Sequence, residues 1–200
     1  MKAIKLTAVL LLISLVAQSQ RATGREGTQV EIQLEGTVFH VRNVMANRYI
    51  DLPGQDTENR SKENGANVQL WDLDGGGDRK VVFIPAGNGY YYIRFQHANV
   101  QLDVHGCFSN RRFCRNFKRD RGANVQIWRS DTSEPQQWRL LQIRPGQFRI
   151  INRYSGKSLD ASASNIHRNG ANVLQWDWNG NDNQLWELVC VKTGSRYQIK

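Results

Sequence analysis

Three aspartates, Asp51, Asp103 and Asp160, each follow an aliphatic residue, and a tryptophan stands 20, 25 and 16 residues beyond them: Trp71, Trp128 and Trp176. A carboxylate accepts hydrogen bonds from two donors, and an indole face offers a flat apolar platform. Groups of this kind hold and orient a ligand. Nothing around them is arranged to break a bond. His40, His97, His105 and His167 are scattered and do not fall at equivalent positions. Asp72 and Asp74 lie in turn-like text. No Ser/His/Asp arrangement, metal-ligand spacing or phosphate loop is evident, so neither catalysis, a metal nor a cofactor is expected.

The elements that position these residues repeat three times. The tetrapeptide Gly-Ala-Asn-Val occurs at Gly65–Val68, Gly122–Val125 and Gly170–Val173, with Trp71, Trp128 and Trp176 following at one offset. Phe39, Tyr91 and Phe148 stand twelve residues before the three aspartates, each opening an alternating run. Val81, Trp138 and Trp186 stand ten residues after the three tryptophans. The anchors are fixed and the lengths between Asp and Trp vary, which places variable loops on one side of a repeated unit. Each unit reads as short strands with period-two alternation, broken by Gly, Asn and Asp. A unit of this size cannot bury its own apolar face well, so the three must share one core. The expectation is an all-β domain over 30–200, with repeats near 30–85, 86–143 and 144–200. Val30–Leu34 and Arg196–Ile199 also look like strands, one of which would pair where the first and third repeats close.

Composition agrees with this. Of 200 residues, 40% are hydrophobic and 22% charged, which is globular rather than disordered. Residues 1–19 have the form of a signal peptide: Lys2 and Lys5, an apolar run over 8–16, then Ala17-Gln18-Ser19. Cleavage there would leave 20–29 as a flexible leader and lower the net charge from +9 to +7. A secreted or periplasmic location is expected, with no membrane span in the mature chain.

The third unit carries the text SGKSLD, then NGANVLQWD, then NQLW; the second closes with Gln136-Gln137-Trp138 and the third with Gln184-Leu185-Trp186. These motifs, in register with the three aspartates, resemble the ricin B-type lectin family, whose repeats end in Gln-x-Trp. The first unit departs from that pattern, with Arg79-Lys80-Val81 at the close. The resemblance implies a β-trefoil: a six-stranded barrel capped by three hairpins, with the closing Trp in the core. It also implies carbohydrate binding, usually of galactose-type sugars, in one shallow pocket per repeat.

Carried onto this sequence, the third pocket would comprise Asp160 as acceptor, Trp176 as platform, Asn183 bonding a hydroxyl and Gln184 bracing Asp160. His167 and Asn169 lie in the intervening loop, and Trp178 adds a neighbouring aromatic. One departure is the order Val-Leu-Gln-Trp at 173–176, which would rotate the platform or shift a bulge. The second pocket keeps Asp103, Trp128 and Gln136, but Pro135 replaces the Asn. The first keeps Asp51 and Trp71, with Asp78-Arg79 for Asn-Gln: a different sugar, or a salt bridge across a dead pocket. The cysteines usual within such repeats are absent.

The second unit's extra length is a basic insertion over 107–121, with Arg111, Arg112, Arg115, Lys118, Arg119 and Arg121 against Asp120. Three Phe are interleaved. It is either a solvated loop, pinned by a Cys107–Cys114 disulfide, or a contact for sulfated or other anionic glycans. No nucleic-acid partner is expected. Cys190 reads as a buried thiol in an apolar strand.

Overall fold

The computed structural model describes residues 34–54, 63–74, 77–105 and 118–199. The leader region, Cys107, Cys114, Arg111, Arg112 and Arg115 lie outside the described residues.

Each repeat contributes four strands. The first has β1 (Val38–Asn43), β2 (Tyr49–Asp51), β3 (Gln69–Trp71) and β4 (Val81–Gly87). The second has β5 (Tyr90–Phe95), β6 (Val100–Val104), β7 (Val125–Arg129) and β8 (Trp138–Arg144). The third has β9 (Gln147–Asn152), β10 (Ser158–Ala161), β11 (Ala171–Trp176) and β12 (Trp186–Cys190). β5 shows the governing pattern: Tyr91, Ile93 and Phe95 are buried while Tyr90, Tyr92 and Arg94 are half-exposed. Tight turns join neighbouring repeats. Between Gly87 and Tyr90 the turn is Asn88-Gly89, with φ of 56° and 74°, values that Asn and Gly tolerate.

Strands β1, β4, β5, β8, β9 and β12 pair antiparallel in a closed ring, in which β12 returns to β1. Hairpins β2–β3, β6–β7 and β10–β11 cap one end of that barrel. This barrel with three caps is a β-trefoil. Closure comes from β1 and β12, with Phe39 opposite Cys190 and Asn43 opposite Trp186. The expected closing strand at Arg196–Ile199 reduces to one bridge, Val189 to Arg196. It lies on the side of β12 that β9 pairs only at Trp186: Tyr197 N–H donates to the Leu188 carbonyl at 2.8 Å and Cys190 N–H to the Ser195 carbonyl at 2.9 Å. Tyr197 also stacks on Phe148 at 5.9 Å. Leu34 is buried outside any strand. Cys190 is a free thiol, half-buried rather than buried because it ends β12. Hydrogen bonding with Thr193 draws its pKa below the usual thiol range.

Phe39, Tyr91 and Phe148 fill the barrel together with Trp138 and Trp186. Each of those indoles also donates from Nε1 to a carbonyl on its own cap hairpin: Trp138 to Leu102 at 3.2 Å, Trp186 to Leu159 at 3.0 Å. Val81 is the equally buried, smaller residue of the first repeat.

The asparagines of the three Gly-Ala-Asn-Val copies meet on the pseudo-threefold axis. Asn172 Nδ2 donates to Asn124 Oδ1 at 2.8 Å, Asn124 to Asn67 at 2.8 Å, and Asn67 to Asn172 at 3.0 Å. The ring explains why the tetrapeptide is identical in three divergent repeats. Replacing one member leaves a donor and an acceptor without partners, at about 1–3 kcal/mol. Asn124→Ala should therefore lower unfolding free energy by that amount in a denaturant titration. A change below ~0.5 kcal/mol would show that the ring contributes nothing net.

Candidate functional site: the three hairpin pockets

In an antiparallel pair, residues directly opposite share a face. Asp160 lies opposite Leu174, and Ser158 opposite Trp176. Asp160 and Trp176 therefore stand on the same face of the third hairpin, with the Leu159–Gln175 pair between them. The ladder runs unbroken through 173–176, so the Val-Leu-Gln-Trp order introduces no bulge. It exchanges two side chains instead. Leu174 takes the face of Asp160, while Gln175 turns inward. There Gln175 donates to the carbonyls of Lys118 and Asp120 at 2.9 and 3.0 Å, fixing the end of the basic insertion.

Asp160 is 4% exposed. Gln184 Nε2 donates to its Oδ2 at 2.8 Å, and Asn183 Nδ2 to its Oδ1 at 3.0 Å. Gln184 thus braces the carboxylate. Asn183 does the same, and also donates to the Ala161 carbonyl at 3.1 Å, so its amide N–H groups serve the pocket frame rather than standing free for a hydroxyl. A single 3₁₀ turn, Asp182–Gln184, delivers both amides. Burial raises the Asp160 pKa to about 6, against the lowering effect of the two amides. Among the described residues no cation approaches it. One lone-pair site on each carboxylate oxygen remains for a ligand.

Trp176 is 39% exposed, and its six-membered ring rests against Gly122 of the second repeat. A Cβ at Gly122 would lie 3.2 Å from Trp176 Cζ3, and Gly122 has φ +81°. Glycine is the residue that permits both. Asp177 bridges Lys157 and, at 3.5 Å, Arg121. Trp178 lies under the Arg149 guanidinium at 5.1 Å. His167 is exposed on the loop before β11. Asn169 turns away, accepting from Arg48 and the Asp72 N–H of the first repeat.

The other two pockets differ in what holds the carboxylate. In the second, Gln126 Nε2 donates to Asp103 Oδ2 at 3.1 Å, and Lys118 Nζ lies 3.6 Å from Oδ1. Burial raises the Asp103 pKa, and Lys118 and Gln126 oppose it. Gln136 does not reach Asp103. It accepts from Gln101 at 2.6 Å and holds the loop after Trp128. In the first, Gln69 donates to Asp51 at 2.8 Å, and Arg79 Nε lies 3.2 Å from its other oxygen. Arg79 also pairs with Asp74, and Asp78 with His97 at 3.3 Å. The salt-bridge alternative is thus the one present. Gln69, Gln126 and the inward-turned Lys118 were not visible as carboxylate partners in the sequence. The cross-strand alignment of Gln with Asp was the signal for the first two. Of the remaining cations of the insertion, Arg119 lies over Tyr154 at 4.6 Å and Arg121 is exposed beside Asp177. Among the described residues no three His, Cys, Asp or Glu converge as a metal site.

Fold and pocket geometry together define a trefoil of lectin type. The ricin-type beta-trefoil lectin domain-like family matches residues 28–112, 114–176 and 142–200, and the chain belongs to that family. This membership supports carbohydrate binding. Among solved structures, the designed threefold-symmetric protein ThreeFoil is 31% identical, with a TM-score of 0.64 over 76% of this chain and 96% of that one. The Macrolepiota procera ricin B-like lectin, solved with lactose, is 19% identical with a TM-score of 0.59, over 76% and 94%. The C-half of the earthworm R-type lectin, solved with GalNAc, is 15% identical with a TM-score of 0.54, over 76% and 97%. At the two lower identities the likeness is one of fold. No curated protein matches the chain.

Proposed function

We propose that this is an exported, non-catalytic lectin that holds galactose-type sugars chiefly in the third-repeat pocket. The observation that carries the reading is the state of Asp160. Its carboxylate is oriented by two amides and meets no cation among the described residues, beside an exposed indole. In the other pockets Lys118 and Arg79 occupy the corresponding carboxylates. A sugar would stack its C–H face on Trp176 and donate two hydroxyls to Asp160. His167, exposed on the intervening loop, would stand at the rim. The lactose and GalNAc bound by the two lectins of like fold favour a galactose-type ligand. Such a site binds on the order of millimolar, about −4 kcal/mol. Useful avidity needs several sites or tethering.

Titration with lactose at low and high salt tests this. Binding should survive salt, because stacking and hydroxyl bonds are not ion contacts. Trp176→Ala should weaken it on the order of tenfold by removing the platform. Binding that salt erases and Trp176→Ala leaves intact would move the function to the basic insertion and anionic glycans. Export rests on residues 1–19, and the amino terminus of the mature protein, expected at Gln20, tests it.

A further inference from the structure

We propose that the second repeat carries a separate site for an acidic saccharide, with Arg129 holding the carboxylate or sulfate. The three repeats act as internal controls for one another. At the open end of the first hairpin, Arg48 Nε bridges Asp72 Oδ1 at 3.2 Å, and Leu73 follows. At the same place in the third, Lys157 bridges Asp177, and Trp178 follows. In the second repeat every member of this closure is replaced. Val100 stands for the cation, Arg129 for the acid and Ser130 for the bulky apolar residue, with Val100 directly opposite Arg129 in the ladder.

The result is a cleft of about 560 Å³, lined by His97, Ala98, Asn99, Val100, Arg129 and Ser130. That volume accommodates a saccharide unit with its acid group. The Arg129 backbone is fixed at both ends: its N–H donates to Asn64 Oδ1 at 2.8 Å and its carbonyl accepts from Gln136 at 3.0 Å. Its guanidinium is exposed and has no ion-pair or hydrogen-bond partner among the described residues. His97, which lines the cleft, lies against Asp78 at 3.3 Å. A guanidinium fork matches the paired oxygens of a carboxylate or sulfate. Asn99 and Ser130 supply an amide and a hydroxyl at the mouth, suited to ring hydroxyls. A ligand here would use neither Asp103 nor Gln136.

Amide NMR spectra, recorded with galacturonate, galactose 6-sulfate, galactose and inorganic sulfate, test the site. The two acidic sugars should shift the resonances of Asn99, Arg129 and Ser130, while galactose does not. Arg129→Gln should weaken that response about tenfold or more, and added salt should weaken it too. Val100→Lys with Arg129→Asp rebuilds the bridge of the other repeats. The double variant should stay folded, with dispersed spectra, and lose the response. The proposal is overturned if the acidic sugars shift only residues 118–121, if inorganic sulfate matches galactose 6-sulfate, or if Arg129→Gln changes nothing. Asp160→Ala leaves this site intact, so its failure and that of the third pocket are separable.

Discussion

Asp160→Ala is expected to abolish lactose binding at the third hairpin, while Asp51→Ala leaves it unchanged. Two hydroxyl bonds to a carboxylate contribute about 1.5–3 kcal/mol each. A millimolar site amounts to only about 4 kcal/mol in total. Removing the acceptor therefore takes binding below detection. The frame should survive the change. Gln184 Nε2 keeps the Asp177 carbonyl at 2.9 Å, and Asn183 Nδ2 keeps the Ala161 carbonyl. Calorimetric titration of the two variants decides it, and binding by Asp160→Ala at wild-type affinity would sink the assignment.

The same carboxyl predicts opposite responses of binding and stability to pH. Burial raises its pKa to about 6, whereas in the unfolded chain it titrates near its ordinary value, about 3.9. Below pH 6 the proton occupies an oxygen that a sugar needs, so affinity should fall by about tenfold per further unit. Stability runs the other way. Between about pH 4 and 6 the folded state holds the proton more tightly than the unfolded state, so stability falls as pH rises through that window. The Asp160 share is about 3 kcal/mol. Burial also raises Asp51 to about 6, against Gln69 and Arg79, and raises Asp103, so the wild type alone mixes three groups. The difference between wild type and Asp160→Ala isolates one. Equal pH slopes for the two proteins would show that Asp160 titrates normally.

Trp186→Ala should produce the largest stability loss. The indole is fully buried at the meeting of β12, β1 and β9, and the cavity it leaves costs about 3–5 kcal/mol. Its Nε1 bond to Leu159 is lost as well. Leu159 precedes Asp160, so the pocket loosens with the core. Against a typical 5–15 kcal/mol of total stability, this leaves the variant close to unfolding at moderate temperature. Urea denaturation checks it, and a loss under 1 kcal/mol would show that the barrel collapses around the gap. Val81→Ala, by contrast, deletes far less volume and should cost correspondingly less.

Much of this was readable in one dimension. The spacing from Phe148 to Asp160, and from the third Gly-Ala-Asn-Val through Trp176 to Trp186, is the same in all three repeats, and constant spacing is what sequence records. What stayed hidden depends on contacts between repeats. Asn67, Asn124 and Asn172 stand in the sequence only as letters of a repeated tetrapeptide, because their partners are 48 to 105 positions away. Lys118 read as one of six basic residues of a surface loop, and only the folded chain turns it onto Asp103. The resemblance implies that Asn183 bonds a hydroxyl; that the 3₁₀ turn carrying it also aims its Nδ2 at Asp160 shows only in the folded chain. Arg129 drew no attention at all. Its meaning comes from Val100 across the hairpin and from the bridges that its two counterparts form.

The pairing of Phe39 with Cys190 has a consequence for synthesis. β1 leaves the ribosome early and β12 last of the twelve strands, so the ring stays open until residue 190 has emerged. Until then β1 and β9 lack a neighbour along their free edges, and unpaired edges invite pairing with other chains. Contacts so distant along the chain also form slowly. A stalled or truncated chain ending before residue 186 should therefore be sticky rather than merely inactive, and its rescue calls for holding by a chaperone more than for catalysed folding.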